Sequence, residues 1–316
     1  MYTKRVLTVL ICSMLFLTGM AQEKETAIDV DLHSLNLFNA AQWKTLMIYG
    51  KDKIAAGIDF PLLRMRTGYA AFMLGNYSQS LLQYKKALKA DPANAAALYY
   101  VYLNNVYLNN TTAANYYAAK LPAETKVSEK ISKVKVTAIE TEYSYKSPDI
   151  AARKDAQYAR IGINVQLGHR LELQQSGALW NQTISEPELG KPPIFVTNPT
   201  NIKINQKEYY AKLIFAAGGK VSLFGGFHYM KTPFNNLQYT NLVYTGGVKY
   251  ATPFVHFQAS AHFATLSDKT FNQYDGTISM YPLGNTKFYT ISKASYGDDF
   301  TFSQIIGYGI TKKIWL

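Results

Sequence analysis

Beyond Ala138 apolar residues recur at every second position, which confines the second half of the chain to β-strands with two chemically different faces. One face carries Ile161, Ile163, Val165 and Leu167, then Tyr209, Ala211, Leu213 and Phe215, then Val221, Leu223, Phe227 and Tyr229, then Val255, Phe257, Ala259, Ala261 and Phe263. The other carries Glu140, Glu142, Arg160, Asn164, Gln166, Glu172, Gln174, Glu208, Lys212, His228, Lys249, His256, Gln258, His262, Asp275 and Lys293. The expected strands are Ala138 to Lys146, Gln157 to Leu167, Leu171 to Thr183, Lys207 to Ala216, Lys220 to Met230, Thr240 to Tyr250, Phe254 to Ala264, Asn272 to Tyr281, Lys287 to Tyr296 and Phe300 to Ile310. Most are about ten residues long, enough to cross an outer membrane as tilted strands. A soluble barrel or sandwich turns its apolar face inward, and a membrane barrel turns it onto lipid. Periodicity is the same in both.

Three further features favour lipid. Apolar residues make up 48% and charged residues only 17%, and 25 tyrosines dominate an aromatic content of 14%; Tyr and Trp favour membrane interfaces. Residues 1–21 have the parts of a secretory signal peptide: Lys4 and Arg5, an apolar run from Val6 to Leu17, and Gly19-Met20-Ala21. That run is shorter than the roughly 20 residues of a helical span. The sole cysteine, Cys12, lies within it, so an exported chain holds no disulfide, thiol nucleophile or Cys-based zinc site. Third, short turns (Gly168-His169-Arg170, Gly218-Gly219, Thr252-Pro253, Gly284-Asn285, Thr311-Lys312) alternate with mostly longer loops, as in outer-membrane barrels. If the first strand rises from the periplasm, these turns and the N-terminal half share the periplasmic side. A further strand starts at Lys313-Ile314-Trp315, so the expectation is ten strands and a stub of a barrel of about 12 strands, incomplete at its C-terminus.

Residues 31–121 have helical spacing instead. From Pro61 to Asn94, the positions of Gly68, Gly75, Tyr77, Tyr84, Ala87 and Pro92 resemble a 34-residue tetratricopeptide repeat, with Ser80 where a small residue belongs. Gly68 lets two helices approach, Gly75-Asn76 turns the chain and Pro92 ends the second helix. Arg64, Thr67 and Ala71 depart from the pattern, where large apolar residues are usual. Ala95 to Leu121 reads as a degenerate second copy, and Leu35 to Ala56 as one or two helices containing Trp43. Residues 122–137 form a polar, Lys-rich linker, and 138–316 the barrel. The expected class is therefore α+β with two domains: a short tetratricopeptide-like helical repeat followed by an antiparallel transmembrane β-barrel.

This order of signal, short repeat, linker and Tyr-rich barrel resembles the YaiO-type outer-membrane β-barrel proteins of Gram-negative bacteria. The Gly68-to-Pro92 spacing is its motif-like part. The resemblance implies an outer-membrane location, a periplasmic helical domain and contact with a periplasmic protein or peptide. Tyr99, Tyr100, Tyr102, Tyr107, Tyr116 and Tyr117 supply packing between repeats or such a contact surface.

The polar face points to passage or binding of a polymer or small solute in the lumen. One constellation there could support chemistry: His228, Ser260 and His262, in which a histidine base would activate a serine of a barrel-embedded lipid hydrolase or acyltransferase. No third orienting group is evident, and a polar lining needs such residues anyway. A soluble secreted β-sandwich with a helical repeat is the other alternative. Gly218-Gly219, Gly225-Gly226 and Gly246-Gly247 lack the strand-to-helix context of a phosphate-binding loop, so no cofactor is expected. The net charge of +12 is spread along the chain, which argues against nucleic acid as a partner.

Overall fold

The computed structural model describes residues 25–149, 153–186, 200–234, 237–266 and 269–309. The expected signal segment and the stub from Lys313 lie outside these residues. Seven helices precede ten strands among them. The helices are α1 (Ala27–Asn39), α2 (Trp43–Ala55), α3 (Pro61–Met73), α4 (Tyr77–Ala90), α5 (Ala95–Tyr107), α6 (Thr111–Lys120) and α7 (Ala123–Ser128).

Local chemistry sets their ends. Thr26 and Asp29 form a capping box at α1, Pro61 occupies the first turn of α3, and Asn76 and Asn94 each accept a backbone N–H at the starts of α4 and α5. Gly75 adopts φ +73°, the left-handed conformation that turns the chain from α3 to α4. Neighbouring helices pack in chain order around Leu81, Tyr84, Ala97, Val101 and Leu108, with a second cluster at Leu37, Leu46 and Ala70. A Cβ on Gly68 would lie 3.0 Å from the Tyr84 ring, so α3 and α4 approach through that glycine. Tyr84 in turn stacks on Tyr100 at 4.8 Å between centroids.

The strands are β1 (Lys135–Lys146), β2 (Arg153–Gln166), β3 (Leu171–Glu186), β4 (Thr200–Ala216), β5 (Val221–Phe234), β6 (Leu237–Ala251), β7 (Val255–Leu266), β8 (Lys269–Met280), β9 (Phe288–Tyr296) and β10 (Phe300–Tyr308). They form one antiparallel sheet in chain order, and among the described residues no ladder joins β1 to β10. The segment expected as a linker contains the short helix α7, anchored where Lys126 Nζ donates to the Ala119 carbonyl at 2.9 Å, and β1 begins three residues earlier than its alternation.

Several strands also run past their expected ends on the side away from the short turns. The β3–β4 hairpin shows why. Up to the Leu179–Lys207 pair most of its large apolar side chains, Ile214 aside, share one face, but beyond it that face carries Asn181, Thr183, Lys203 and Asn205. Ile184, Ile202 and Ile204 lie on the opposite face, where Ile202 and Ile204 are buried. Backbone pairing continues there while the sense of the alternation inverts.

The helices sit at the short-turn end of the sheet. Ser78 N donates to the Gly284 carbonyl at 2.9 Å, Asn285 Nδ2 to the Gly75 carbonyl at 3.1 Å, and Ser78 Oγ to the Pro253 carbonyl. Tyr117 of α6 lies against Gly219, and the Arg170 guanidinium sits 5.2 Å from the centre of the Tyr116 ring.

Candidate functional site

The strand registers put every polar residue named above, from Glu140 to Lys293, on one face of the sheet. Cross-strand pairs such as Asn164–Gln174, Gln174–Lys212 and Lys249–Gln258 carry this face from strand to strand. Its middle is buried, with Gln166 1% exposed, His256 4% and Asp275 8%, while Glu140 and Glu142 at the β1 edge are exposed. The apolar face is the exposed one, with Ile161 at 63%, Phe257 at 46%, Phe302 at 62% and Ile306 at 64%. Among the described residues the sheet thus exposes more of its apolar face than of the middle of its polar face.

Three polar clusters organise this face. Arg160 pairs with Glu140 at 3.2 Å and donates to Ser176 at 3.1 Å, while Asn164 donates to the second Glu140 oxygen at 3.0 Å. Beside it, His228 Nε2 lies 3.0 Å from Glu208 Oε2, within a pocket of about 380 Å3 that Tyr158, Arg160 and Tyr210 also line. In the third, Asp275 accepts from Lys293 Nζ at 2.7 Å and Gln273 Nε2 at 2.7 Å, and His262 Nε2 lies 3.1 Å from it. Thr245 Oγ1 occupies the other His262 nitrogen at 2.9 Å.

The suspected constellation of His228, Ser260 and His262 is not assembled. His228 stands opposite Val243 of β6 and His262 opposite Thr245, so the two rings are offset along the strand as well as separated by it. They belong to different pockets. With both ring nitrogens of His262 engaged by Thr245 and Asp275, none remains as a base for Ser260. Thr245, His262 and Asp275 do form a hydroxyl–imidazole–carboxylate chain. However, the surrounding backbone amides belong to the strand ladders, which leaves no pair of N–H groups to stabilise an oxyanion.

A wall beside the polar face comes from outside the sheet. The α5–α6 loop residues Asn109 and Asn110 and the first two residues of α6, Thr111 and Thr112, line a polar cavity of about 440 Å3 together with Glu172, Lys212, Lys249 and Gln258. Asn109 holds φ +52° to turn that loop, and Lys212 Nζ sits 4.3 Å from the centre of the Phe224 ring. This segment carries only a turn signal in the sequence, and nothing local marks it as a wall of the cavity.

Among the described residues no group of three or more His, Cys, Asp or Glu side chains is placed to hold a metal ion, and no helix is long and apolar enough to cross a membrane. The latter bears on helices alone. No protein-family model matches the chain, and no curated protein sequence matches it significantly.

Proposed function

We propose that the chain is an outer-membrane β-barrel protein of the YaiO type, with its polar face as the lumen and a tetratricopeptide-like helical domain on the periplasmic side that serves as an adaptor for a periplasmic protein or peptide. The exposed apolar face carries this reading. A soluble protein rarely exposes a contiguous apolar patch above a few hundred Å2, whereas here exposed apolar side chains run from Ile139 of β1 to Ile306 of β10. In hydrocarbon the same face is solvated and the polar face is shielded. The switch of polarity above Leu179 and Lys207 supports an upper margin to the apolar band at that height. Lipid also requires the outer edges of β1 and β10 to be paired, with each other or with further strands, since each orphaned backbone group costs several kcal/mol there.

Two observations support the adaptor role. The helices meet the short turns, the ends that face the periplasm in such barrels. On the helices away from that junction, Ile28, Leu32 and Ile48 of α1 and α2 are exposed at 72%, 55% and 48%. The polar face, lined at one end by Asn109 to Thr112, suits binding of a polymer segment or small solute rich in hydrogen-bonding groups.

Fractionation of cells expressing the chain tests the membrane assignment. Recovery with outer membranes and a heat-dependent shift in gel migration are expected. Recovery in the soluble periplasm without such a shift would instead favour a secreted sandwich.

A further inference from the structure

A groove of about 380 Å3 opens where α4, α5 and α6 meet the turns before β5 and β7. Its floor is apolar, built by Leu82, Leu88, Leu98 and Tyr117. Its rim holds Lys86, Lys89, Lys120 and Lys220, Lys85 lies deeper within it, and no carboxylate lines it. None of these five lysines forms an ion pair among the described residues, although Lys86 is near enough to Asp59 to help lower that carboxyl's pKa. The Lys85 ammonium instead sits 5.6 Å from the centre of the Tyr117 ring, and that of Lys120 sits 4.8 Å from the centre of the Tyr116 ring and 5.9 Å from that of Tyr117. Like charges converging on one concavity repel one another unless an anion joins them.

The groove is continuous with the apolar face of the sheet through Lys220. This residue lines the groove and also places its ammonium 5.9 Å from the centre of the Tyr250 ring. Tyr250 is exposed on the apolar face, where its register partners are Val221 and Phe257. A ligand that fills the groove therefore meets cations at the rim, hydrocarbon on the floor and the margin of the apolar band beside it. Inorganic phosphate would use only the first.

We propose that this groove binds the phosphate headgroup of an anionic phospholipid from the leaflet nearest the helical domain, with the lysines around the phosphate and the first acyl carbons on the apolar floor. The site presupposes the membrane-inserted sheet proposed above. Burial and the nearby Lys220 charge hold the Lys85 pKa down, to about 8, so a bound anion would relieve a cost already present.

The full chain, folded in detergent micelles, is mixed with phosphatidylglycerol or with phosphatidylethanolamine, and bound lipid is counted by native mass spectrometry. Retention of phosphatidylglycerol at least about tenfold above the zwitterionic lipid is expected, from a contribution of about fivefold per lysine near an anionic surface. Excess inorganic phosphate should not displace it. The Lys85→Gln/Lys89→Gln/Lys120→Gln variant should lose the preference while keeping its heat-dependent gel shift. If that variant does not fold, Lys89→Gln/Lys120→Gln alters only exposed side chains and should still lower retention severalfold. Equal retention of both lipids, unchanged retention in the variants, or displacement by phosphate overturns the lipid site while leaving the barrel intact. A chain that stays soluble without detergent and shows no heat shift overturns the membrane reading itself.

Discussion

Tyr117 of α6 packs so closely on the backbone of Gly219, in the β4–β5 turn, that no side chain fits between them. The contact joins the helical domain to the sheet through an aromatic ring and a bare peptide. Gly219→Leu should therefore separate the domains by displacing Tyr117, which also packs on the edge of the Leu81–Tyr84 cluster. The expected outcome is faster proteolytic cleavage between Leu121 and Lys135, with the heat-dependent gel shift unchanged.

Gly68 works in the same way inside the helical domain, where a Cβ would lie 3.0 Å from the Tyr84 ring and 3.2 Å from Gln83 Cβ. A Gly68→Val substitution forces α3 and α4 apart and should cost about 1–3 kcal/mol. A lowered helix melting temperature in circular dichroism is the check.

The sign of the Lys85 shift gives a pH dependence. Its pKa falls from 10.5 to about 8 on folding, chiefly through burial and then through Lys220. Between those values the unfolded chain holds a proton that the folded chain has released, so stability of the helical domain should rise with pH across that window. Below about pH 8 both states are protonated and this contribution is flat. Lys85→Met should remove the dependence and raise the melting temperature at neutral pH. An unchanged pH profile in that variant would contradict the assignment.

Asp275 is the hub of its cluster, with a 6% exposed side chain bound to Lys293 and His262. Asp275→Ala leaves a cation without its counter-charge, although Lys293 is exposed enough to turn toward water. The expected loss is roughly 2–3 kcal/mol, below the range for a fully buried pair. Asp275→Asn, which keeps an acceptor for both partners, should lose less than half as much. Urea unfolding of the sheet followed by tryptophan fluorescence measures both.

The two faces of the sheet were legible because a strand's period is two, so Phe257 and Gln258 declare opposite faces without knowledge of their neighbours. The orientation of those faces was not, since alternation is identical in a sandwich and a lipid-facing sheet. Strand ends were hidden for a related reason: Thr200 to Gln206 pair with β3 through the backbone while the apolar period reverses sense. In the helices, Gly68, Gly75 and Pro92 each act locally and were readable one at a time. The role of Asn109 to Thr112 as a cavity wall depends on contacts with strands that follow later in the chain, and the occupation of both His262 nitrogens depends on Thr245 and Asp275 from the strands on either side. Neither leaves a short-range signal.

The orientation of the sheet is tested most directly at Phe257 and Gln258, adjacent residues on opposite faces of β7. With Cys12 replaced by serine, Phe257→Cys and Gln258→Cys are each labelled with an environment-sensitive fluorophore in reconstituted vesicles. The label at 257 should be quenched by brominated lipid and insensitive to aqueous iodide, and the label at 258 should be insensitive to the lipid. Quenching of the 257 label by iodide alone, or of the 258 label by brominated lipid, would contradict a sheet that turns its apolar face to the membrane.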